Sequence, residues 1–600
     1  MTRARRITNQ QIVRALREFS LFLEMKEVAF KPRAYEKAAD AVAAEERPLA
    51  EVYARSGIDG LLELPFVGKG IAQKIEELLR HGRIEELERL RDETPVDVLS
   101  LTAIEGLGPK HAKALHAALG IRSIDQLEAA LREGRVRELP HFGVKSEQKL
   151  LRGVEVLKRT RGRQLLGHAL PLAREIEARL RGLASVERAA VAGSIRRGKE
   201  TIGDLDFLAV SEDPRAVMRF FASMPEVEQV YAQGETKTLV RLASGIDADL
   251  RVVKRASFGA ALHYFTGSKG HNVALRRLAR GQGLRLNEYG VFRGEKSIAG
   301  RTEEAVYAAL GLPYIPPELR EDHGELEAAR EGRLPDLIEH GELRGDLQIQ
   351  TDWTDGADSL EAMAKAARRL GLEYIAITDH TRDLKVTRGL DETRLREQGV
   401  AIRALDRKLG GIRLLTGAEV NIRRDGSLDI SDDALAELDI VGAAIHSFFD
   451  QSREEMTRRV IRALENPHVD VLFHPTARAI GRREPVALDI DAVIAAAKRT
   501  GTLLEIDAMP ERLDLRDEHV RKAVEAGVKL VIDSDAHAHA HLGFSDEFGI
   551  AVARRGWATR ADVANAWPLA KLLRSKKHAR APRASAARRA GARGARRPRA

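Results

Sequence analysis

Three aspartates at the beginnings of apolar segments form the first candidate site. Asp204 and Asp206 flank Leu205 at the start of one such segment, and Asp249 begins another. Since side chains alternate across a strand, Asp204 and Asp206 are expected to share one face. Carboxylates that converge without a basic partner repel one another unless cations lie between them. The pattern predicts a two-metal phosphoryl-transfer site that takes Mg²⁺ or Mn²⁺.

A glycine-containing turn precedes the first two aspartates. Gly193-Ser194 and Arg196-Arg197 follow a strand-like segment, and six residues separate Arg197 from Asp204. Backbone amides, a hydroxyl and a guanidinium at this place suit an anionic triphosphate. An Asp-x-Asp pair alone is often a solvated turn, but this long spacing with Asp249 downstream is far more specific. It favours phosphoryl transfer from a bound triphosphate.

A second candidate site follows apolar segments in residues 341–575. His380, His446, His474 and His537 each come directly after such a segment, and carboxylates occupy similar places. Repeated strand–helix units with polar residues at the carboxyl ends of the strands are typical of an α/β barrel. The chain has no cysteine, so imidazoles and carboxylates remain as ligands, and they suit Zn²⁺ or Mn²⁺ in a hydrolytic site. Chance burial explains four such histidines poorly.

The elements that must position these groups change type near residue 160. Short amphipathic helices separated by glycine turns come first, and alternating strands and helices follow. Three turns, at 64–72, 104–112 and 139–146, resemble one another and carry Lys69, Lys110 and Lys145. Such hairpins offer backbone N–H groups and a positive helix end to a phosphate. The alternative is that glycine only ends one helix before the next. The candidate DNA contacts in these turns are Gly68, Gly70, Gly106, Gly108 and Lys110.

Composition limits the classes of protein. Six hundred residues predict several domains, and 44% hydrophobic with 32% charged residues indicates a globular chain. No apolar stretch is long enough to cross a membrane and no signal peptide is evident, so we expect a cytoplasmic protein. The net charge of +9 comes from residues 576–600, an Arg-rich segment without acidic residues that predicts a disordered basic tail. The rest of the chain is nearly neutral, so affinity for a nucleic-acid backbone has to come from local placement of cations.

Residues 1 to about 315 resemble the family X DNA polymerases of the polymerase beta type. Besides the turn and the aspartates, the segments 264–272 and 286–289 match segments of that family. The resemblance implies that Asp204, Asp206 and Asp249 are catalytic metal ligands. It also implies triphosphate contacts at Ser194, Arg197 and Gly203, sugar contacts at Tyr264, Phe265 and Gly267, a base contact at Asn272, and a template contact at Arg276.

The N-terminal part of this resemblance concerns DNA 5′ ends. Residues 30–39 are similar to the family's pocket for a downstream 5′-phosphate, which implies contacts at Lys31, Arg33, Tyr35 and Lys37. Lys74 takes the place of the Schiff-base lysine of members with lyase activity. Such a lysine needs burial or neighbouring cations to be nucleophilic, and the alternative is a solvated helix lysine. The first hairpin departs from the family pattern because Phe66 stands where glycine is usual.

The C-terminal half resembles the PHP (polymerase and histidinol phosphatase) domain that is fused to many bacterial family X polymerases. The resemblance implies metal ligands at Asp355, His380, Glu419, His446, His474, Asp535 and His537. It departs from the pattern at Gln348 and Gln350, where a His-x-His pair is usual. An amide oxygen is a poorer ligand for Zn²⁺ or Mn²⁺ than imidazole. We therefore expect metal binding with altered stoichiometry or affinity, and reduced or lost 3′-5′ exonuclease or phosphoesterase activity.

These features predict a multidomain fold with a helical helix-hairpin-helix region, an α/β nucleotidyltransferase palm, a distorted α/β barrel and a tail. The expected divisions are an N-terminal lyase-like helical domain at 1–90, helix-hairpin-helix fingers at 91–160, the palm at 161–250, a nucleotide-selection subdomain at 251–320, a linker at 321–344, the PHP domain at 345–575 and the tail at 576–600.

The function expected from this combination is short-gap filling in DNA repair, by base excision or end joining. A DNA-directed DNA polymerase would act as a monomer on gapped or primed double-stranded DNA with deoxynucleoside triphosphates (dNTPs), away from membranes. One alternative is a repair nuclease or phosphoesterase centred on the barrel, which the two glutamines weaken. The other is a non-catalytic DNA-binding scaffold, which predicts no primer extension with any metal.

Overall fold

A computed structural model describes residues 7–43, 45, 47–104, 106–160 and 162–577. The first of two compact units contains the chain up to Asp322 and Ala479–Glu484; the second contains His323–Arg478 and the chain from Pro485 onward. Within the described residues no helix is long and apolar enough to cross a membrane. The predicted tail lies outside them from residue 578 onward, whereas Lys576 and Lys577 donate hydrogen bonds to carbonyl groups of the second unit.

Short helices form the N-terminal part of the first unit. They are α1 Asn9–Met25, α2 Lys31–Ala43, α3 Leu49–Leu62, α4 Lys69–His81, α5 Glu85–Glu93, α6 Val98–Thr102, α7 Pro109–Leu119, α8 Ile124–Arg132 and α9 Val144–Thr160. Gly68 and Gly108 are the N-caps of α4 and α7. Apolar side chains from Ile12 to Val154 form one core. The helices predicted as two domains, 1–90 and 91–160, therefore pack around shared apolar residues.

An α/β layer follows in the first unit. Its elements are β1 Gln164–Leu165, α10 Leu166–Arg181, β2 Val186–Val191, α11 Gly193–Arg196, β3 Thr201–Ile202, β4 Asp204–Ser211, α12 Pro214–Ala222, β5 Val227–Gln233, β6 Lys237–Leu242 and β7 Asp247–Val252. Five strands form one sheet in the order β2-β4-β7-β6-β5, in which only β4 and β7 are parallel. Ala248, Leu250 and Val252 of β7 are buried, so Asp249 faces the opposite side.

The remaining elements of the first unit carry the predicted nucleotide segment. They are α13 Phe258–Thr266, α14 Lys269–Gly281, β8 Arg285–Asn287, β9 Gly290–Arg293, β10 Lys296–Ala299 and α15 Glu303–Ala309. The three strands form an antiparallel sheet. Gly259 permits close packing of α13, because a Cβ atom at this residue would lie 2.2 Å from the carbonyl carbon of Thr302.

The second unit is a nearly closed barrel of parallel strands surrounded by helices. Its elements are α16 Glu325–Arg330, β11 Gly345–Asp346, α17 Leu360–Arg369, β12 Tyr374–Ile377, α18 Glu392–Leu409, β13 Arg413–Asn421, α19 Asp432–Leu435, β14 Ile440–Ala444, α20 Arg453–Glu465, β15 Val471–Leu472, α21 Ile490–Thr500, β16 Leu503–Asp507, α22 Asp517–Ala526, β17 Leu530–Asp533, α23 Ile550–Arg555 and α24 Leu569–Ser575. The seven strands pair in chain order. A parallel bridge between Ile349 and Ala536 links the segments that follow β11 and β17.

The segment predicted as a linker, 321–344, is folded into the second unit for most of its length. Leu326, Leu337 and Ile338 are buried, and α16 forms within it. These apolar side chains pack in the core of the second unit. The linker prediction missed this because it relied on the paired prolines and the acidic residues. The predicted fold class, with helical hairpins, an α/β polymerase region and a barrel, is confirmed.

Candidate functional site

Strands β4 and β7 bring the three predicted aspartates to one edge of the five-stranded sheet. Because the strands are parallel and in register, Asp204 lies opposite Asp247 and Asp206 lies opposite Asp249. The side chains of Asp206 and Asp249 thus come from neighbouring strands at the same level. Asp249 Oδ1 is buried and has no hydrogen-bond partner among the described residues, which leaves a ligand atom available.

Asp206 is the most crowded of the three carboxylates. Burial, reinforced by the charges of Asp204 and Asp249, raises the pKa of Asp206 to about 7. Gly193 leaves the space that this carboxylate fills, since a Cβ atom on Gly193 would lie 2.5 Å from Asp206 Oδ2. Carboxylates forced together in this way are characteristic of a site that binds a cation.

Two cations approach the other oxygen of Asp249. Lys237 Nζ on β6 and Arg251 Nη2 on β7 lie 3.1 and 3.4 Å from Asp249 Oδ2. The guanidinium of Arg251 also lies 4.5 Å from the centre of the Phe265 ring. The sequence analysis did not identify Lys237 or Arg251 as partners of Asp249. For Lys237, nothing in its spacing along the chain shows that β6 pairs with β7.

The predicted nucleotide segment forms a hairpin of α13 and α14. Tyr264 and Phe265 lie near the end of α13 with ring centres 5.1 Å apart, and Gly267 follows with a φ of 70°. Asn272 donates a hydrogen bond from Nδ2 to the Tyr264 carbonyl at 2.8 Å, while its buried Oδ1 has no partner within the described chain. Arg276 Nε donates to the Asn272 carbonyl at 3.1 Å. These five predicted residues therefore occupy one continuous hairpin.

Arg197 joins the glycine-containing turn to this hairpin. Its Nε donates to Glu321 Oε1 at 2.9 Å, and its guanidinium contacts the carbonyl of Thr266. Nη1 lies 3.0 Å from the place that a Cβ atom on Gly267 would take. The positive charge of Arg197 also opposes the rise in the pKa of Asp206, so Arg197 stands between the aspartates and the nucleotide segment.

The other predicted triphosphate residues flank the aspartates along the chain. Ser194 lies in α11, and Gly203 immediately precedes β4. Arg163 approaches Gly203 closely, since its Nη1 lies 2.9 Å from the place of a Cβ atom there. Arg163 Nε also donates to Thr201 Oγ1 at 2.9 Å. The structure thus adds a cation beside Gly203 that no spacing in the sequence had indicated.

Arg196, the neighbour of Arg197, has a structural partner instead. Its guanidinium donates two hydrogen bonds to Glu303, at 2.9 and 2.6 Å, and a third to Thr266 Oγ1 at 2.7 Å. Arg320, which is fully buried, donates to the same Glu303 at 2.6 Å. Burial alone would raise the pKa of Glu303, but Arg196 and Arg320 lower it to about 2. Glu303 therefore ties the glycine-containing turn to α15, and Arg196 itself ties that turn to α13 through Thr266.

We expect Glu303→Gln to lower the free energy of unfolding of the first unit by about 3–5 kcal/mol, because two arginines lose the charge that compensates them. Urea denaturation followed by far-ultraviolet circular dichroism measures the change. Glu304→Gln is the matched control, since Glu304 is exposed and exposed substitutions alter stability by about 0.5 kcal/mol or less. Equal stability of the two variants would contradict the role assigned to Glu303.

The predicted N-terminal DNA contacts divide by exposure. Lys31, Arg33 and Lys37 are exposed on α2, and Lys37 Nζ lies 5.0 Å from the centre of the Phe66 ring. Tyr35 is buried, and its ring lies 4.6 Å from that of Phe19. Tyr35 thus belongs to the helical core, whereas the three cations face solvent.

The helical hairpins have the predicted backbone form. Gly68 and Gly108 are N-caps without a side-chain hydrogen bond, and Gly70 lies in the first turn of α4. Gly106 has a φ of 87°, a conformation that favours glycine. Lys110, beside the second hairpin, forms an exposed ion pair of 2.9 Å with Glu27. These helix N-termini leave N–H groups for an external acceptor.

Lys74 lies on α4 between two acidic side chains. Its Nζ is 3.4 Å from Glu77 and 3.1 Å from Glu86, and its side chain is 22% exposed. The sequence argument required burial or neighbouring cations, whereas the charged groups that contact this partly buried lysine are carboxylates.

The barrel gathers the predicted metal ligands at the carboxyl ends of its strands. His446 Nε2 and His474 Nε2 lie 2.9 and 2.8 Å from Glu419 Oε1. His380 lies between two carboxylates, with Nδ1 3.4 Å from Glu419 and Nε2 3.7 Å from Asp355. Within the described residues, two sets of three ligand atoms lie within 4.8 Å of one another and share His380. They are Asp355, His380, His537 and His380, Glu419, His446.

The protonation of these groups suits a metal. Burial, together with the neighbouring histidines, lowers the pKa of His380 to about 3, which keeps its ring neutral. Burial would raise the pKa of Glu419, but His380 and His446 hold it well below its usual value. Asn421 Oδ1 lies 2.8 Å from His446 Nδ1, an orienting contact typical of metal-binding histidines. Sequence reasoning did not identify Asn421.

The remaining predicted ligands lie at the same mouth. His537 Nε2 is 3.8 Å from Asp355, and its Nδ1 is 3.8 Å from Asp535. His474 Nδ1 and Asp535 Oδ1 are buried without a hydrogen-bond partner among the described residues. Buried polar atoms that lack partners are costly, so these atoms fit a bound cation. The structure brings all seven predicted ligands to one end of the barrel.

Gln348 and Gln350 are both fully buried in this barrel. Gln350 Nε2 donates a hydrogen bond of 2.7 Å to Glu419 Oε2. Gln348 has no hydrogen-bond partner for either polar atom of its side chain within the described residues. Gln350 therefore occupies one oxygen of a predicted metal ligand, and Gln348 places an unsatisfied amide in the interior.

Comparisons with known proteins match the helical, polymerase and barrel regions of the chain. A DNA polymerase beta thumb profile matches residues 261–321, a PHP domain profile 346–502, and two helix-hairpin-helix profiles 7–84 and 98–155. The DNA polymerase/3′-5′ exonuclease PolX of Bacillus subtilis is 39% identical over 93% of this chain and 97% of its own length. The chain belongs to the family X DNA polymerases that carry a PHP domain.

Two other relatives of this family X polymerase each match only one part of the chain. Rat DNA polymerase lambda is 29% identical over 48% of the chain and 52% of its own length. A probable phosphatase of Thermoanaerobacter is 33% identical over 31% of the chain and 74% of its own length. The predicted family and activity, a DNA polymerase with helix-hairpin-helix and PHP domains, are confirmed. DNA binding and a need for divalent metal follow from the family.

Proposed function

We propose that Asp204, Asp206 and Asp249 hold two divalent ions, Mg²⁺ or Mn²⁺, for transfer of a nucleotide from a dNTP to a primer 3′-hydroxyl. The register that sets Asp206 opposite Asp249, with a buried unpaired oxygen on Asp249, carries this proposal. Such ions, when bound, activate the attacking oxygen and offset the charge of the triphosphate. The chain's own part is to orient the carboxylates on two rigid strands.

The incoming dNTP is proposed to lie between the glycine-containing turn and the α13–α14 hairpin. Arg197 supports this place, because it contacts the nucleotide segment and acts on the charge of Asp206. The assigned roles are triphosphate contacts at Ser194, Arg197 and Gly203, sugar contacts at Tyr264, Phe265 and Gly267, a base contact at Asn272, and a template contact at Arg276.

The DNA substrate is proposed to be a short gap, filled during base-excision or end-joining repair. Exposed Lys31, Arg33 and Lys37 suit the downstream 5′-phosphate, and the helical hairpins suit the sugar–phosphate backbone without reading sequence. All proposed polymerase residues come from one unit of one chain, so a monomer suffices. Primer extension across a one-nucleotide gap tests the proposal, and no extension with Mg²⁺ or Mn²⁺ would contradict it.

Lys74→Ala is expected to abolish borohydride trapping of the chain on a 5′-deoxyribose-phosphate end, if Lys74 is the lyase nucleophile. Because its ion pair with Glu86 has to break before the amine can attack, Glu86→Gln is expected to increase the trapping rate. Trapped protein is measured on denaturing gels, with Lys69→Ala as a control that retains trapping. Full trapping by Lys74→Ala would remove the lyase assignment.

The barrel supports a second candidate function, a metal-dependent 3′-5′ exonuclease or phosphoesterase of reduced activity. Its specific support is the convergence of His380, Glu419 and His446, together with the hydrogen bond from Gln350 to Glu419. The ligands fit Zn²⁺ or Mn²⁺, whose chemistry when bound is to activate water. The amide of Gln350 competes for Glu419, and for that reason we propose fewer or weaker ions and slower hydrolysis.

A further inference from the structure

Phe448 is an exposed aromatic residue at the mouth of the barrel, two residues after His446. Its side chain is 48% exposed, and its backbone φ is +53°. Non-glycine residues rarely adopt this conformation, and they keep it where their surroundings hold it in place, often at functional sites. Since the ring is half exposed in this constrained backbone, it can contact a molecule outside the chain.

A buried arginine holds the segment that carries this ring. Arg459 is 2% exposed, and its Nη1 donates hydrogen bonds to the carbonyl oxygens of Ser447, at 2.9 Å, and Phe448, at 3.4 Å. Its Nη2 also donates to the carbonyl of Ile422, which follows β13. The segments after β13 and β14 are thereby fixed to each other, and the ring of Phe448 is presented on a rigid support.

Positive charge accompanies the ring. Arg424 is exposed, and its guanidinium lies 5.7 Å from the centre of the Phe448 ring. Within the described residues no carboxylate forms an ion pair with Arg424. The guanidinium of Arg459 lies 5.9 Å from the same ring on the protein side. A half-exposed ring with an exposed guanidinium beside it matches the chemistry of a nucleotide, which offers a flat base and an anionic phosphate.

We propose that Phe448 stacks on the terminal base of a single-stranded DNA 3′ end, while Arg424 contacts its phosphate. This inference rests on the proposed action of the barrel on DNA, because His446, two residues away, belongs to the metal cluster. Stacking tolerates any base, since each base has a flat face. A 3′ end frayed from a duplex would thus enter the barrel mouth irrespective of its sequence.

A single-stranded oligonucleotide with 2-aminopurine at its 3′ end tests this platform, because stacking quenches 2-aminopurine fluorescence. The last linkage is a phosphorothioate that resists cleavage, and excess unlabelled gapped duplex occupies the polymerase half of the full chain. Glycine suits the positive φ of this position. We expect Phe448→Gly to raise the dissociation constant obtained from the quenching titration about tenfold. Phe448→Trp should retain binding, whereas Phe448→Leu should lose it, because leucine is apolar but cannot stack.

Tyr231→Ala is the matched control, since Tyr231 in the first unit is 45% exposed and carries Arg241 at 5.9 Å from its ring. Quenching that is equal in wild type and Phe448→Gly would overturn the platform, as would equal losses in Phe448→Gly and Tyr231→Ala. A change in self-association on Phe448→Gly with unchanged quenching would also overturn it. Digestion of an unmodified oligonucleotide is measured separately, so failure of hydrolysis is distinguishable from failure of the platform.

Discussion

Asp249→Ala is expected to reduce primer extension on one-nucleotide-gapped DNA about a thousandfold or more, with little change in DNA affinity. Asp249 supplies the buried unpaired oxygen opposite Asp206, so its loss would leave the proposed metal site with one carboxylate fewer. Removal of a single well-placed polar group from an active site commonly costs roughly 10²–10³ in rate. Single-turnover extension with saturating DNA, dNTP and Mg²⁺ measures the effect, and fluorescence anisotropy measures DNA binding.

Asp247→Ala provides a closely matched control for this experiment. Asp247 is the same residue type on the same strand, and alternation places it on the same face as Asp249. Its carboxylate pairs with Arg241 at 2.8 Å, in a contact whose two side chains are about one third exposed, and such pairs contribute about 1 kcal/mol or less. We expect Asp247→Ala to extend primers within about threefold of wild type. More than a tenth of the wild-type rate in Asp249→Ala would contradict the metal site.

The aspartate site could be predicted from sequence because its members mark the starts of two strands. What the sequence could not show was which strands are neighbours. Asp204 and Asp206 are near each other along the chain, whereas Asp249 joins them only because β4 and β7 are parallel. The same limit hid Lys237, whose contact with Asp249 depends on the pairing of β6 with β7.

The two adjacent arginines of the glycine-containing turn show a further limit. Arg196 and Arg197 have the same residue type and both follow the turn, so sequence reasoning placed both beside a triphosphate. In the structure Arg196 binds Glu303, which lies 107 positions later in the chain, whereas Arg197 contacts the nucleotide segment at Thr266. Burial of a charge requires a partner, and a partner so distant leaves no trace in local spacing.

The barrel was easier to predict than the helical region. Ionisable residues lie at or just after the ends of the strands, and parallel strands place such ends together, so their spacing brought His380, His446 and His474 into one predicted site. The helices before residue 160 are short and similar, and nothing in their amphipathic pattern showed that both predicted domains share one core. Lys74 shows the same difficulty, because one of its two acidic partners, Glu86, lies on the next helix.

The two glutamines of the barrel differ in what they do to the metal site. Gln350 donates a hydrogen bond to Glu419 Oε2, whereas a metal ion would need an electron pair of that oxygen. The side-chain amide of Gln348 makes no hydrogen bond within the described residues, so it orients no metal ligand and leaves its two polar atoms unsatisfied. Replacing either amide by imidazole adds a nitrogen ligand. Only the change at Gln350 also releases Glu419.

Gln350→His combined with Gln348→His is expected to raise the number of Mn²⁺ ions retained per chain and to tighten their binding about 10–100-fold. Metal content after dialysis measures the number, and stabilisation by added Mn²⁺ measures affinity through linkage. All three tryptophans, Trp353, Trp557 and Trp567, lie in the second unit, so tryptophan fluorescence reports its unfolding. Digestion of a mismatched 3′ end should increase in parallel and disappear when His380→Ala is added. Unchanged metal content with robust digestion by wild type would show that the barrel tolerates its glutamines.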